Sequence, residues 1–220
     1  MIKLEGEQIV VPRPVAEEIQ RRGTNDLTAA AIEKAEWLEV IEAPPIPDTI
    51  RAWDLGEVFV RLRQLPKPTV AVVQGRVLAG GCGLATACDL VFARAGAQFG
   101  YPEINRGFVP AMVMTMLRRL VGEKVAFDLA ATGRVIDAAE AERLGLVSRV
   151  LGAKTFDKDV DAALSSLASL SASALALTNQ QFYQLDGLSL ADCIRLGARV
   201  NAVSRATPDF RAAIAAFLKK

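Results

Sequence analysis

Apolar positions along the 220 residues fall into two regimes. Up to about residue 56 they come in short groups cut by proline and charge. Residues 8–12 (QIVVP) predict a short strand, and 14–22 a helix opened by Pro12 and Pro14. Residues 26–36 (DLTAAAIEKAE) predict a second helix with Asp26 as its N-cap, and 37–41 another short apolar strand. The segment EAPPIPD, Glu42 to Asp48, cannot be regular, because three prolines remove three backbone donors. It reads as a boundary.

From Gly56 the pattern changes. EVFVRLRQL is helical and ends at Pro66 and Pro68. Thr69–Val73 (TVAVV) is a continuous run of β-branched and small apolar residues, the pattern of a strand buried on both faces. A turn at Gly75 and the small residues LAGGCGLATACDL follow, with a short helix from about Cys82 to Cys88. Leu90–Ala93 and Ala97–Gly100 are two more strands. The rest is helical. Helices at 112–120 and 123–131 end near Gly122 and Gly133. A capping box, Asp137-Ala-Ala-Glu140, opens a helix that stops at Gly145. Alanine-rich helices cover 156–170 and 171–186, one from Ser189 runs to Arg205, and one opened by Thr207-Pro208 runs over 209–218. The pattern is a small α/β sheet region followed by a helical tail.

Charge follows the same division. Residues 1–56 hold 6 Lys and Arg against 11 Asp and Glu, whereas 57–220 hold 20 against 14. The net charge of the whole is only +1, so no global basic field points to nucleic acid. There is no histidine. Ser-His-Asp and Cys-His catalysis are therefore excluded, as is a His-ligated zinc. Acid–base work near neutral pH falls to carboxylates, Lys, Tyr or Cys. Cys82, Cys88 and Cys193 show no CxxC spacing, which argues against a disulfide framework or a Cys-only metal site and suits a reducing compartment. No signal-peptide pattern or apolar membrane-length run is seen, and the expectation is a soluble cytoplasmic protein without a metal or separate cofactor.

Two stretches carry chemistry. Leu78-Ala79-Gly80-Gly81-Cys82-Gly83 lies between a strand and a helix. Consecutive glycines let a ligand approach the backbone, and a helix N-terminus presents free N–H groups to developing negative charge. The same glycines also suit any tight strand-to-helix turn. In Ala97-Gln-Phe-Gly-Tyr-Pro-Glu103-Ile104, Glu103 ends a short strand among Phe99, Tyr101, Ile104 and Phe108. A carboxylate in apolar surroundings binds its proton more tightly and can shuttle it near neutrality. The alternative is a helix N-terminal carboxylate satisfied by backbone N–H groups. Elsewhere, Asp89 reads as structural, Cys82 and Cys88 as buried thiols, Arg118 and Arg119 as a solvated face, subunit contact or phosphate contact, and Phe182 and Tyr183 as packing.

Together these stretches resemble the crotonase superfamily of enoyl-CoA hydratases and isomerases. LPKPTVAVVQGRVLAGGCGLATACDLVFA, AQFGYPEINRGFVPA, ATGRVIDAAEAERLGLVSRV and AAIAAFLKK occur in the family's order over 57–220. The resemblance implies an α/β fold, a spiral of ββα units with a C-terminal helical region from about 155 that forms a trimer or a dimer of trimers. It implies an acyl-CoA thioester whose enolate is held by two backbone N–H groups, the coenzyme A being part of the substrate. Gly80 matches the helix-side oxyanion donor and Glu103 the acid–base glutamate. Ala79, Gly81, Gly83 and Phe108 fall at the substrate, and Phe217 and Lys220 match C-terminal residues that approach the coenzyme A of a neighbouring subunit. No membrane or nucleic-acid partner is implied.

Two departures bear on activity. Two-glutamate hydratases carry their other glutamate where this chain has Gly83, leaving one carboxylate to activate water and deliver a proton in turn, or to move a proton between carbons. The loop that supplies the second oxyanion donor in the family has no match in residues 1–72. A catalytically inactive scaffold or fusion product is therefore the alternative. Residues 1–56, through IVVPRPVAEEIQRRG, AEWLEVIEAPPIP and AWDLGE, weakly resemble part of a PIN-domain nuclease, without its opening metal-binding Asp.

Overall fold

The computed structural model describes residues 9–12, 38–41 and 48–218. The helices expected over 14–22 and 26–36, and most of the proline-rich segment, lie outside the described residues. The chain divides into two compact units, residues 1–53 and 54–220. In the first, β1 (Ile9–Pro12) and β2 (Leu38–Ile41) pair in parallel, with Ile9 opposite Leu38.

Helix α1 spans Asp48–Gln64, starting well before Gly56. A glycine inside a helix costs about 1 kcal/mol, too little to break it. A Cβ at Gly56 would lie 3.2 Å from the sulfur of Met112, so the glycine is what lets α1 come close to that residue.

In the second unit the strands alternate between two sheets. β3 (Val70–Val73), β5 (Leu90–Arg94) and β8 (Arg149–Leu151) form one, all parallel, in the order β3-β5-β8. β4 (Arg76–Leu78), β6 (Gln98–Gly100) and β7 (Val135–Asp137) form the other, with β7 antiparallel at its edge. Each pass of the chain thus gives one strand to each sheet before a helix or turn returns it. The helices are α2 (Gly80–Ala87), α3 (Ala111–Val121), α4 (Glu123–Thr132) and α5 (Ala138–Leu144), then α6 (Phe156–Ala168), α7 (Ala172–Gln184), α8 (Leu190–Arg205) and α9 (Pro208–Phe217). A 3₁₀ helix covers Pro102–Arg106.

Cys82, Phe99, Tyr101, Leu117, Leu129 and Leu146 are the fully buried centre. They come from α2, β6 and its exit, α3, α4 and the turn after α5, so the core lies under the helix that carries the glycines. The expected caps are in place: Asp137 accepts from the N–H of Glu140, Ser189 from Asp192 and Thr207 from Phe210. By contrast α8 and α9 bury no residue at all, and Leu190, Ile194, Phe217 and Leu218 are largely exposed. Among the described residues no single helix is long and apolar enough to cross a membrane.

One side chain ties the helical tail to the sheets. Asp89 Oδ2 accepts from the backbone N–H of Thr69 (2.5 Å), the Thr69 hydroxyl (2.8 Å) and the Asn179 amide (3.1 Å). Its Oδ1 accepts from the Tyr183 hydroxyl. Asp89 is thus structural, but its partners extend about 90 residues downstream rather than being local. Asp89→Ala strands four donors, two of them on α7, and is expected to cost about 2–3 kcal/mol in urea unfolding, because hydrogen bonds to a charged acceptor are the stronger kind.

Candidate active site

The site begins where two parallel strands end. β4 and β6 pair with Leu78 opposite Gly100, so both chains leave the sheet at the same edge. Gly80 follows β4 by two residues and Glu103 follows β6 by three. Paired strands lie about 4.8 Å apart, and ligands of open parallel sheets sit beyond the carboxyl ends of the strands. Sheet register alone therefore brings the two candidate residues to one place.

The turn into α2 fixes the direction of the Gly80 amide. Ala79 has φ 53° and ψ −129°, the one non-glycine at positive φ among the described residues. Such a conformation costs an L-residue on the order of 1–3 kcal/mol and persists only when its surroundings hold it. Here the Ala79 N–H donates to the Gly100 carbonyl (2.9 Å), and the Ala79 carbonyl accepts from the Gly83 N–H (3.0 Å). In a trans peptide the N–H points opposite to the C=O. With the Ala79 carbonyl directed along α2, the Gly80 N–H points out of the helix N-terminus. First-turn amides have no acceptor inside their own helix, and the helix dipole favours negative charge there. Gly81, next in line, is exposed.

Glu103 stands in the first turn of the 3₁₀ helix and is buried. Its Oε2 is enclosed and accepts no hydrogen bond among the described residues. An ordinary N-terminal capping carboxylate would accept from the backbone; this oxygen does not. Of its expected apolar neighbours, Phe99 and Tyr101 are fully buried, whereas Ile104 is half exposed and Phe108 is 66% exposed. The Phe108 N–H donates to the Glu103 carbonyl (3.1 Å), across the left-handed Gly107.

Beneath α2 lies a polar pair that the sequence did not single out. The Tyr101 hydroxyl is buried without a hydrogen-bond partner among the described residues and neighbours Cys82. Burial pushes the Cys82 thiol up to about 11 and raises the Tyr101 phenol as well. Between pH 9 and 11 the unfolded chain therefore gives up its Cys82 proton while the folded chain keeps it. Stability present in full below pH 9 is lost as pH rises through this window. Urea unfolding of the parent is expected to lose on the order of 2 kcal/mol more over that range than Cys82→Ala.

Gly83 is buried, and the direction its side chain would take is filled. A Cβ there would lie 2.2 Å from Val113 Cγ1 and 3.1 Å from Phe59 Cζ. Phe217, at the end of α9, is 72% exposed. Lys220 lies outside the described residues, as do residues 42–47. Among the described residues no group of three or more Cys, Asp or Glu side chains converges as a metal site would require.

A family model described as enoyl-CoA hydratase/isomerase matches residues 37–220. The match takes in residues 37–56, so the likeness to this family begins ahead of residue 57, and the PIN-domain resemblance finds no support. Among curated sequences, a Thermus thermophilus protein provisionally named enoyl-CoA hydratase is 43% identical over 166 residues, 76% of this chain and 66% of its own. A probable enoyl-CoA hydratase of Rhizobium meliloti is 41% identical over 155 residues, 70% of this chain and 60% of its own. The chain thus spans slightly less than two thirds of the curated relatives that it matches. Among solved structures, an enoyl-CoA hydratase of Mycobacterium smegmatis has the same fold, with a TM-score of 0.76 at 23% identity, over 98% of this chain and 90% of its own. An enoyl-CoA hydratase/isomerase of Cupriavidus metallidurans gives 0.73 at 29% identity, over 78% and 65%.

Proposed function

The chain belongs to the enoyl-CoA hydratase/isomerase family and has the crotonase fold, and we propose that it acts on an enoyl thioester of coenzyme A, with Gly80 and Glu103 as its working groups. The observation that carries this reading is the convergence at one sheet edge of an outward-pointing helix N-terminal amide and a buried carboxylate with an unpaired oxygen.

The thioester oxygen accepts from the Gly80 N–H. As the oxygen of water adds to the β-carbon, or as a proton leaves carbon, negative charge collects on the thioester oxygen until a carbon is protonated, and a fixed donor aimed there lowers the barrier most. The Glu103 carboxylate moves the proton. In hydration it takes one from water as the oxygen adds to the β-carbon and delivers one to the α-carbon. In isomerisation it carries one between the γ- and α-carbons. Gly83 supplies no second carboxylate, so both routes run through Glu103 alone. Ala79 and Gly81 flank the donor, and Phe108 borders the exit from Glu103.

The same reading assigns the bare apolar faces of α8 and α9 to contact with other copies, as a homotrimer or a dimer of trimers, with Phe217 and Lys220 near a neighbour's coenzyme A. The purified chain, assayed with crotonyl-CoA and with a 3-enoyl-CoA, is expected to turn over one or both. Turnover of neither would overturn the reading and leave an inactive scaffold.

A further inference from the structure

We propose that the cleft where α1 and α3 end against α7 binds a phosphorylated small molecule through the Arg63 guanidinium. The cleft encloses about 560 Å³ and is lined by Arg63, Gln64, Arg119, Gln180, Tyr183 and their neighbours Gln184, Asp186 and Val60. Its lining includes none of the groups assigned to the thioester reaction.

Three observations define its chemistry. First, Arg63 is only partly accommodated by the protein. Its Nε is buried and has no acceptor among the described residues. A guanidinium cannot shed its proton, so a buried N–H of this kind calls for an acceptor that the described residues do not supply. Second, the group lies over an aromatic ring. The guanidinium carbon sits 4.7 Å from the centre of the Tyr183 ring. That ring is itself anchored, because its hydroxyl donates to Asp89. The ring supports the guanidinium from one side, and the guanidinium's remaining N–H groups are of the kind that match a phosphate or carboxylate in two parallel hydrogen bonds. Third, the charges do not cancel. Arg119 is engaged by Asp186 at the same cleft. Arg63 has no such partner among the described residues, so the lining residues carry one unmatched positive charge.

Three glutamine amides on the walls add neutral donors beside that charge. A carboxylate has too few oxygens to use a guanidinium edge and several amides together; a phosphate ester or diphosphate has enough. The volume is also far larger than a bare inorganic ion needs. The ligand class is therefore a nucleotide-sized phosphate compound rather than a simple anion.

Calorimetric titration of the full chain with pyrophosphate, and then with ADP, tests this, with sulfate at matched ionic strength as the control. Saturable binding of at least one phosphate compound is expected, with sulfate much weaker. Arg63→Met is expected to weaken it about tenfold or more, and Arg63→Lys, which keeps the charge but loses the flat fork, by a smaller factor. Glu103→Gln is expected to bind like the parent. No saturable binding up to about 10 mM would overturn the proposal. So would parental affinity in Arg63→Lys and Arg63→Met. A raised KM for crotonyl-CoA in Arg63→Lys identifies the bound phosphate as the substrate's own; an unchanged KM with weakened ADP binding identifies a separate ligand.

Discussion

Replacing Glu103 with Gln is expected to slow turnover of an enoyl-CoA by about 10²–10⁴-fold, with KM and thermal stability little changed. The amide has the shape of the carboxylic acid but cannot exchange a proton with carbon or water. Because a single carboxylate serves every proton transfer in the proposed scheme, no second group takes over the work. The fold is expected to survive, because Glu103 Oε2 accepts no hydrogen bond among the described residues that the change would break. Binding is expected to survive too, since the Gly80 amide and the walls are untouched. Steady-state assays give kcat and KM, and a thermal melt reports the fold. A raised KM at parental kcat would make Glu103 a binding residue and remove it from the chemistry. Parental activity throughout would remove it from the site.

Gly80 and Glu103 were legible because their motifs carry backbone consequences. The run of glycines marks a helix start that leaves its amides bare, and Pro102-Glu103 marks the end of a strand. What the sequence could not show was how the two meet. That depends on β4, three residues long and opened by an exposed Arg76, too short to display an alternating pattern. β7 and β8 escaped notice for the same reason. Without β4 there is no β4–β6 register, and the register is what sets Gly80 beside Glu103. The strain at Ala79 is equally silent in sequence, since alanine at a helix N-cap gives no sign of positive φ. Asp89 was read as structural, but its partners Asn179 and Tyr183 lie on a helix whose docking no local pattern specifies. Early placement of the start of α1 failed for a simpler reason. Gly56 looked like a boundary because the charge balance changes there, whereas the glycine is a point of close approach inside a continuous helix.

Gly83→Glu is expected to destabilise the folded chain by about 4 kcal/mol or more, and to leave it without a second catalytic carboxylate. The position is not an open gap waiting for a side chain. A Cβ there meets Val113 Cγ1 at 2.2 Å and Val113 Cβ at 2.9 Å, distances that real contacts do not reach, and Phe59 Cζ at 3.1 Å. Val113 and Phe59 are both buried, and valine has no flexible end to swing aside. Overpacking of this kind costs about 1–3 kcal/mol for the first carbon alone. The rest of a glutamate then places a charge among hydrocarbon with no partner, which adds several kcal/mol more or forces the group to stay protonated. Two comparisons separate these contributions in urea unfolding. Gly83→Ala isolates the first carbon and is expected to lose about 1–3 kcal/mol. Adding Val113→Ala removes the atoms it strikes, so the double variant is expected to fall short of the sum of the two single losses. Strict additivity would mean that Val113 is not what closes this position. In that case Gly83→Glu would be tolerated, and a gain in crotonyl-CoA hydration by that variant would show that the chain can accept a second acid–base group beside Glu103.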